Sequence, residues 1–172
     1  MARASQYDAG ELRNKSIAVG APARYSVAMG AVASNEQPRS DITAEPGLLG
    51  KSGVLEFQQQ FGAAGVAVSA NVAQALNSFE LRGHLPGAQC YRLSNGGYFL
   101  APTRQVRVYL GGTDSGCVEL TAEAAGMAAS IIALNLHRNS SAECLQHYVC
   151  LRDYARSHQE SAGIQAVLNA YL

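Results

Sequence analysis

Few residues in this chain stand at spacings that support chemistry. Cys144, His147 and Cys150 recur at three-residue steps on a helical stretch, the nearest approach to a soft-metal ligand set or to a thiol beside a base. Each such step drifts about 60° around a helix axis, so the three side chains fan apart. Buried thiols beside a surface histidine are therefore expected, with no metal and no cofactor. His147, Cys150 and Asp153 form the alternative set, a scattered site for a small hydrolase or nucleotide-acting enzyme. Neither a G-x-S-x-G elbow nor an H-E-x-x-H pair accompanies it, and His84, His137 and His158 have no close partner in sequence. Cys90 and Cys117 complete a cysteine set without C-x-x-C pairing. Gly96-Gly97 and Gly111-Gly112 match neither phosphate-binding glycine pattern and read as hairpin turns. No catalytic residue emerges, and a non-enzymatic protein is expected.

Composition narrows the partners. The 172 residues carry 13 Lys and Arg against 13 Asp and Glu, a formal charge of zero. No global field draws such a chain to nucleic acid or an anionic membrane, and it lacks the acidity of a DNA surrogate. No run of about 18 apolar residues occurs, and the amino end MARASQYDAG has no apolar signal core. A cytoplasmic protein that contacts neither membrane nor nucleic acid directly is the expectation; the oligomeric state stays open.

The positioning elements follow from periodicity. Residues 1–53, broken by Gly20, Pro22, Gly30, Pro38, Pro46, Gly47 and Gly50, read as an extension or small β layer able to bind a partner. Tyr25, Val27, Met29 and Ala31 alternate there as one weak strand. The remaining 54–172 reads as the main domain. Leu55 to Phe61 suits a short helix, and Val72, Ala75, Leu76 and Phe79 mark an amphipathic helix from Ser69 to a stop at Gly83. Asn95-Gly96-Gly97 lies between Tyr91/Leu93 and Tyr98/Phe99/Leu100, the signature of a hairpin closed by a two-residue primed turn, and Pro102 ends its second arm. Val106 to Leu110 and Cys117 to Leu120 alternate as further strands, giving a short antiparallel meander of three to four strands.

Three helices come next. Thr121 caps the first, whose two apolar faces imply deep burial; Ser140-Ser141-Ala142-Glu143 and Ser157-His158-Gln159-Glu160 read as capping boxes for the other two. Strands followed by helices indicate an α+β fold with its helices concentrated in the C-terminal half. On the helix from Glu143 to Arg156, Cys144, Leu145, Tyr148, Val149, Leu151 and Ala155 share one arc, and Arg152 falls inside it. Arg152 either snorkels along apolar surface or is fixed by Glu119 or Glu123, while Asp153 points nearly opposite, to solvent.

Three stretches taken together, LSNGGYFLAP (Leu93 to Pro102), ELTAEAAGMAASIIALNL (Glu119 to Leu136) and YVCLRDYARSHQESAGIQAVLNAYL (Tyr148 to Leu172), closely resemble the ArdB/KlcA antirestriction family. The resemblance spans roughly Ser69 to Leu172. It implies an α+β inhibitor from a plasmid, phage or genomic island that relieves type I restriction of incoming DNA, with no catalytic residue and no cofactor. Its expected partner is a protein component of a host defence system. GAQCYRL replaces the tryptophan-bearing segment usual before the hairpin, and residues 1–53 have no counterpart; both departures leave room for an anti-CRISPR protein that binds a CRISPR effector on the same scaffold. Asn95, Gly96, Gly97, Tyr98, Arg152 and Asp153 are the candidate partner-binding residues.

Overall fold

A computed structural model of the chain describes residues 41–79, 87–110 and 116–172. The strand read at Tyr25–Ala31, the stop at Gly83 and the Gly111-Gly112 pair lie outside them. In order come β1 (Ala44–Leu49), α1 (Gly50–Gln59), a single 3₁₀ turn (Gly62–Ala64), α2 (Gly65–Phe79), β2 (Ala88–Leu93), β3 (Tyr98–Pro102), β4 (Val106–Tyr109), β5 (Cys117–Leu120), α3 (Ala122–His137), α4 (Ala142–Ser157) and α5 (Ser161–Tyr171). The fold is α+β with antiparallel strands, as expected, and α3 to α5 follow the last strand.

The strands do not form one meander. β1, β2 and β3 make a three-stranded sheet in that order, and β4 pairs only with β5. Two features separate them. Pro102 ends β3 without an amide donor, and the outward amide of Leu100 donates to Ser130 Oγ of α3 at 3.2 Å, so a helix covers the edge on which β4 would add. The opposite edge is taken by β1, which aligns Ala44 with Leu93 and Pro46 with Tyr91 and shifts register before Leu49. Residues 44–53, set apart on composition, thus supply this edge strand and the start of α1. Proline 46 is tolerated there because an edge strand has one unpaired side.

α3 is the most buried helix, with ten residues from Ala124 to Leu134 enclosed. It packs against β3, α2, α4 and α5. Alanine and glycine along its length permit that approach on several sides at once. A Cβ built on Gly126 would stand 2.4 Å from Ala101 Cα and 2.4 Å from Leu100 O, both backbone atoms. Phe57, Phe61, Phe79, Phe99, Met127, Ile131, Leu134, Leu151 and Ile164 fill the surrounding core. No helix among the described residues is long and apolar enough to cross a membrane.

The caps differ in part from the sequence expectation. Thr121 Oγ1 accepts from Ala124 N at 3.3 Å, as expected of an N-cap. Ser141 Oγ accepts from Cys144 N at 3.2 Å, while Glu143 binds the capping hydroxyl rather than the Ser140 backbone. Ser157 to Glu160 is not a capping box: Ser157 Oγ turns back to Tyr154 O, and α5 begins after Glu160 without a side-chain cap. The Glu160 carboxylate instead accepts from both the amide and the hydroxyl of Thr121, tying the start of α5 to the start of α3.

Replacing a helical glycine by alanine ordinarily gains roughly 1 kcal/mol. At Gly126 the sign reverses. Gly126→Ala is expected to lose about 3 kcal/mol in urea denaturation, since the added methyl meets backbone on β3 that cannot step aside.

Candidate functional site

The hairpin turn is built differently from a primed two-residue loop. Gly96 alone among Ser94, Asn95, Gly96 and Gly97 has a positive φ, 88°, and Gly96 N donates to Leu93 O at 2.9 Å while Leu93 N donates to Gly97 O at 2.8 Å. This is a three-residue loop with glycine at its left-handed position. Asn95 is not spent on a positive φ because its side chain is engaged elsewhere. Its Nδ2 donates to Cys150 O at 2.9 Å, its Oδ1 accepts from Gly97 N at 3.2 Å, and its carbonyl accepts from Cys150 Sγ at 3.3 Å. Gly97 is buried under α4, where a Cβ would lie 3.0 Å from Cys150 Cβ and from Leu151 Cδ1. The turn is bolted to the middle of α4, with Gly96 left exposed.

His147 sits one turn earlier on α4. Its ring meets Phe61 at 4.7 Å and Tyr98 at 5.8 Å, both edge-on, and its buried Nδ1 has no hydrogen-bond partner. Burial pushes its pKa below the usual imidazole value, opposed by the carbonyls of Gln60 and Gly96 and by Glu143. The scattered site His147, Cys150 and Asp153 is not assembled. Cys150 gives its thiol proton to Asn95 O, burial and Asp153 push its pKa up, and Asp153 pairs with Arg156 at 3.1 Å. A thiol held protonated is a poor nucleophile.

The candidate contact residues divide into two groups. Asn95, Gly96, Gly97 and Tyr98 gather on the Cys150 side of α4, and Asp153 lies exposed one turn beyond. Arg152 is about 200° around the helix from Cys150 and faces the other way. Its guanidinium lies 5.9 Å from the Tyr148 ring, beside Arg138 at 5.2 Å from the same ring. Neither proposed carboxylate reaches it: Glu119 pairs with Arg107 across β4 and β5, and Glu123 accepts from Tyr154. The apolar arc read on α4 also narrows. Cys144, Leu151 and Ala155 are buried, but Leu145 and Val149 are 47% and 50% exposed, since α4 is covered on one side only.

A second polar locus escaped the sequence reading. Where α4 ends and α3 begins, Tyr154 Oη donates to Glu123 Oε1 at 2.6 Å, and His158 Nε2 stands 3.8 Å from the same oxygen. His158 Nδ1 accepts from Glu160 N at 3.1 Å, and the His158 side chain is only 7% exposed. Burial and the Glu123 hydrogen bond push the Tyr154 pKa up, which keeps it a donor. The only trace of this in sequence is that Tyr154 and His158 are four residues apart. Among the described residues, no three His, Cys, Asp or Glu side chains converge as a metal site.

Comparison with known proteins places this architecture. A family model described as antirestriction protein matches residues 87–169. The uncharacterized protein YfjX of Escherichia coli (strain K12) is 39% identical over 85 residues, covering 46% of this chain and 55% of that protein. YafX of the same strain is 36% identical over 88 residues, again covering 46% and 55%. The chain thus spans about half the length of the curated relatives it matches. A solved structure matches with a TM-score of 0.63 at 25% identity, over 78% of this chain and 98% of that one. It is described as that of KlcA and ArdB proteins with a novel fold and antirestriction activity against type I DNA restriction systems in vivo but not in vitro.

Two outcomes test the packing of the turn. Asn95→Ala removes the side-chain bonds to α4 and to Gly97 and is expected to cost about 1 to 2 kcal/mol in chemical denaturation. A depressed His147 pKa means the unfolded chain binds the extra proton, so this group stabilises fully above about pH 6.5 and its contribution falls as pH drops below that. His147→Phe keeps the ring contacts with Phe61 and Tyr98 but cannot titrate. Between about pH 8 and about pH 5, the wild-type Tm is expected to fall more than that of the variant.

Proposed function

As a member of the ArdB/KlcA antirestriction family, to which the chain belongs by its match over residues 87–169 and by its fold, this protein, we propose, relieves type I restriction of incoming mobile DNA by binding a protein component of the host defence system. One observation carries the mode of action. Duplex DNA presents a negative charge every roughly 1.7 Å, and a chain with 13 basic and 13 acidic residues cannot imitate that field. Recognition through a shaped protein surface is what remains, and the protonated, hydrogen-bonded Cys150 favours an inhibitor over a thiol enzyme.

The contact surface is assigned to the exposed tip around Gly96 and Tyr98 with the outward stripe of α4, where Leu145, Val149 and Asp153 follow at four-residue steps. Half-exposed apolar side chains beside a charged rim have the composition of a protein interface rather than of a nucleic-acid groove.

Expression in a host with an active type I system is expected to raise the plating efficiency of unmodified phage. Gly96→Asn adds a side chain in open space at a position whose backbone asparagine tolerates. At a φ of 88° any side chain is strained, so the Tm should fall by a few degrees at most with asparagine, while relief is cut at least about tenfold, equivalent to roughly 1.4 kcal/mol of binding. Unchanged relief would remove the tip from the contact surface. Relief confined to a host that interferes through CRISPR would move the target to a CRISPR effector.

A further inference from the structure

Arg138 follows the last turn of α3 and Arg152 lies one turn beyond Tyr148 on α4, and their guanidiniums stand 5.2 Å and 5.9 Å from the centre of the same Tyr148 ring. The face of a tyrosine attracts one cation, but two cations gathered at one ring repel each other. Among the described residues neither guanidinium is paired with a carboxylate or donates a hydrogen bond. The acids are engaged elsewhere: Glu119 with Arg107, Asp153 with Arg156, and Glu123 with Tyr154. In a chain of zero formal charge this is a local excess of positive charge, held in place by a ring and left without its counter-charge. An anion seated there would relieve the repulsion and use two forks of planar donors.

Beside the pair lies an apolar groove. Leu145, Tyr148, Val149, Arg152 and Arg156 fall within about 100° of the α4 circumference, so the arginines share one flank of the helix with two half-exposed aliphatic side chains. Between that flank and α5 runs a groove of about 290 Å³, walled by Arg152, Arg156 and Gln165 and floored by the buried Ala155, Ile164 and Leu168. No carboxylate lines it. Arg152 belongs both to the groove and to the pair on Tyr148, which makes them one surface. Cations along one side of a small apolar floor complement an acidic peptide segment that carries an apolar side chain. A nucleic-acid strand fits less well: its bases need an open aromatic face, the Tyr148 ring is already occupied by two guanidiniums, and an aliphatic floor offers phosphates nothing.

We propose that the flank of α4 formed by Arg138, Tyr148 and Arg152, with the groove against α5, docks an acidic segment of the protein partner through its carboxylates and one apolar anchor. The proposal rests on the inhibitor reading above for its biological partner, but the surface is testable without it. In heteronuclear NMR titrations of the full chain, acetyl-Asp-Glu-Leu-Asp-Glu-amide is expected to give saturable shifts confined to residues around Tyr148, Arg152 and Leu168. Its uncharged counterpart acetyl-Asn-Gln-Leu-Asn-Gln-amide, and acetyl-Asp-Glu-Ser-Asp-Glu-amide, which lacks the anchor, should each bind at least several-fold more weakly. Raising the salt from about 0.05 M to about 0.5 M should weaken the acidic peptide several-fold, because exposed charges are screened. Arg138→Gln and Arg152→Gln should each do the same; should either variant fail to fold, the peptide series on the wild type decides alone. Non-saturable shifts, shifts elsewhere, equal binding of the uncharged peptide, or binding unaffected by both substitutions would overturn the site. The serine peptide binding as tightly as the leucine peptide would overturn the role given to the groove, and oligothymidylate displacing the peptide at lower concentration would overturn a protein segment as the occupant. In the plating assay, wild-type relief retained in full by Arg138→Gln and Arg152→Gln together would overturn this flank as the partner's docking point. Absence of relief by the wild type would instead count against the inhibitor reading, and the titration would still decide the surface.

Discussion

The close seating of α3 on β3 governs the rest of this molecule. Gly126 leaves no room between helix and strand, and Ser130 then reaches the outward amide of Leu100. That single hydrogen bond has a topological effect larger than its energy, about 1 kcal/mol for an ordinary bond. It closes one edge of the three-stranded sheet, forces β4 and β5 into a ribbon of their own, and leaves α3 central, with α2, α4 and α5 arranged around it. An alanine-rich helix suits this role because small side chains allow close approach on several sides at once.

α4 converts that core into a surface. Near its middle, reciprocal bonds between Asn95 and Cys150 hold the hairpin turn; at its end, Tyr154 and His158 meet Glu123 in the first turn of α3, and Glu160 ties α5 to Thr121. The exposed tip and the polar locus are therefore fixed relative to each other through one helix. A carboxylate at the start of α3 also has a favourable place in the helix dipole, so Glu123 serves both the helix and the polar locus.

Much of this was legible in the residues. The alternation of Val106 and Val108, the hairpin around Asn95-Gly96-Gly97, the cap at Thr121 and the burial of α3 are local patterns set by side-chain period and turn chemistry, and each is present in the structure. Less legible was everything that depended on which element lies beside which. Residues 44–49 looked like part of a loose extension because an edge strand with Pro46 and Gly47 has few large apolar side chains; its stabilisation comes from pairing with β2, which no local pattern records. Leu145 and Val149 fit an apolar arc by spacing, yet whether an arc is covered depends on neighbours, and α4 has them on one side only.

The opening constellations show the same division. Sequence alone determined that Cys144, His147 and Cys150 diverge around a helix, because helical pitch is a local property. It likewise determined the balance of 13 basic against 13 acidic residues. Only the tertiary structure decided that Cys150 donates to Asn95 O, that Arg152 rests on Tyr148 rather than on Glu119 or Glu123, and that Glu123 meets Tyr154 and His158. Arg152 and Tyr148 are four residues apart on one helix, but the Asn95–Cys150 and Glu123–Tyr154 contacts join residues 55 and 31 positions apart, and the energy that selects them comes from burial and hydrogen bonding across elements, which the order of residues along a single strand or helix does not encode.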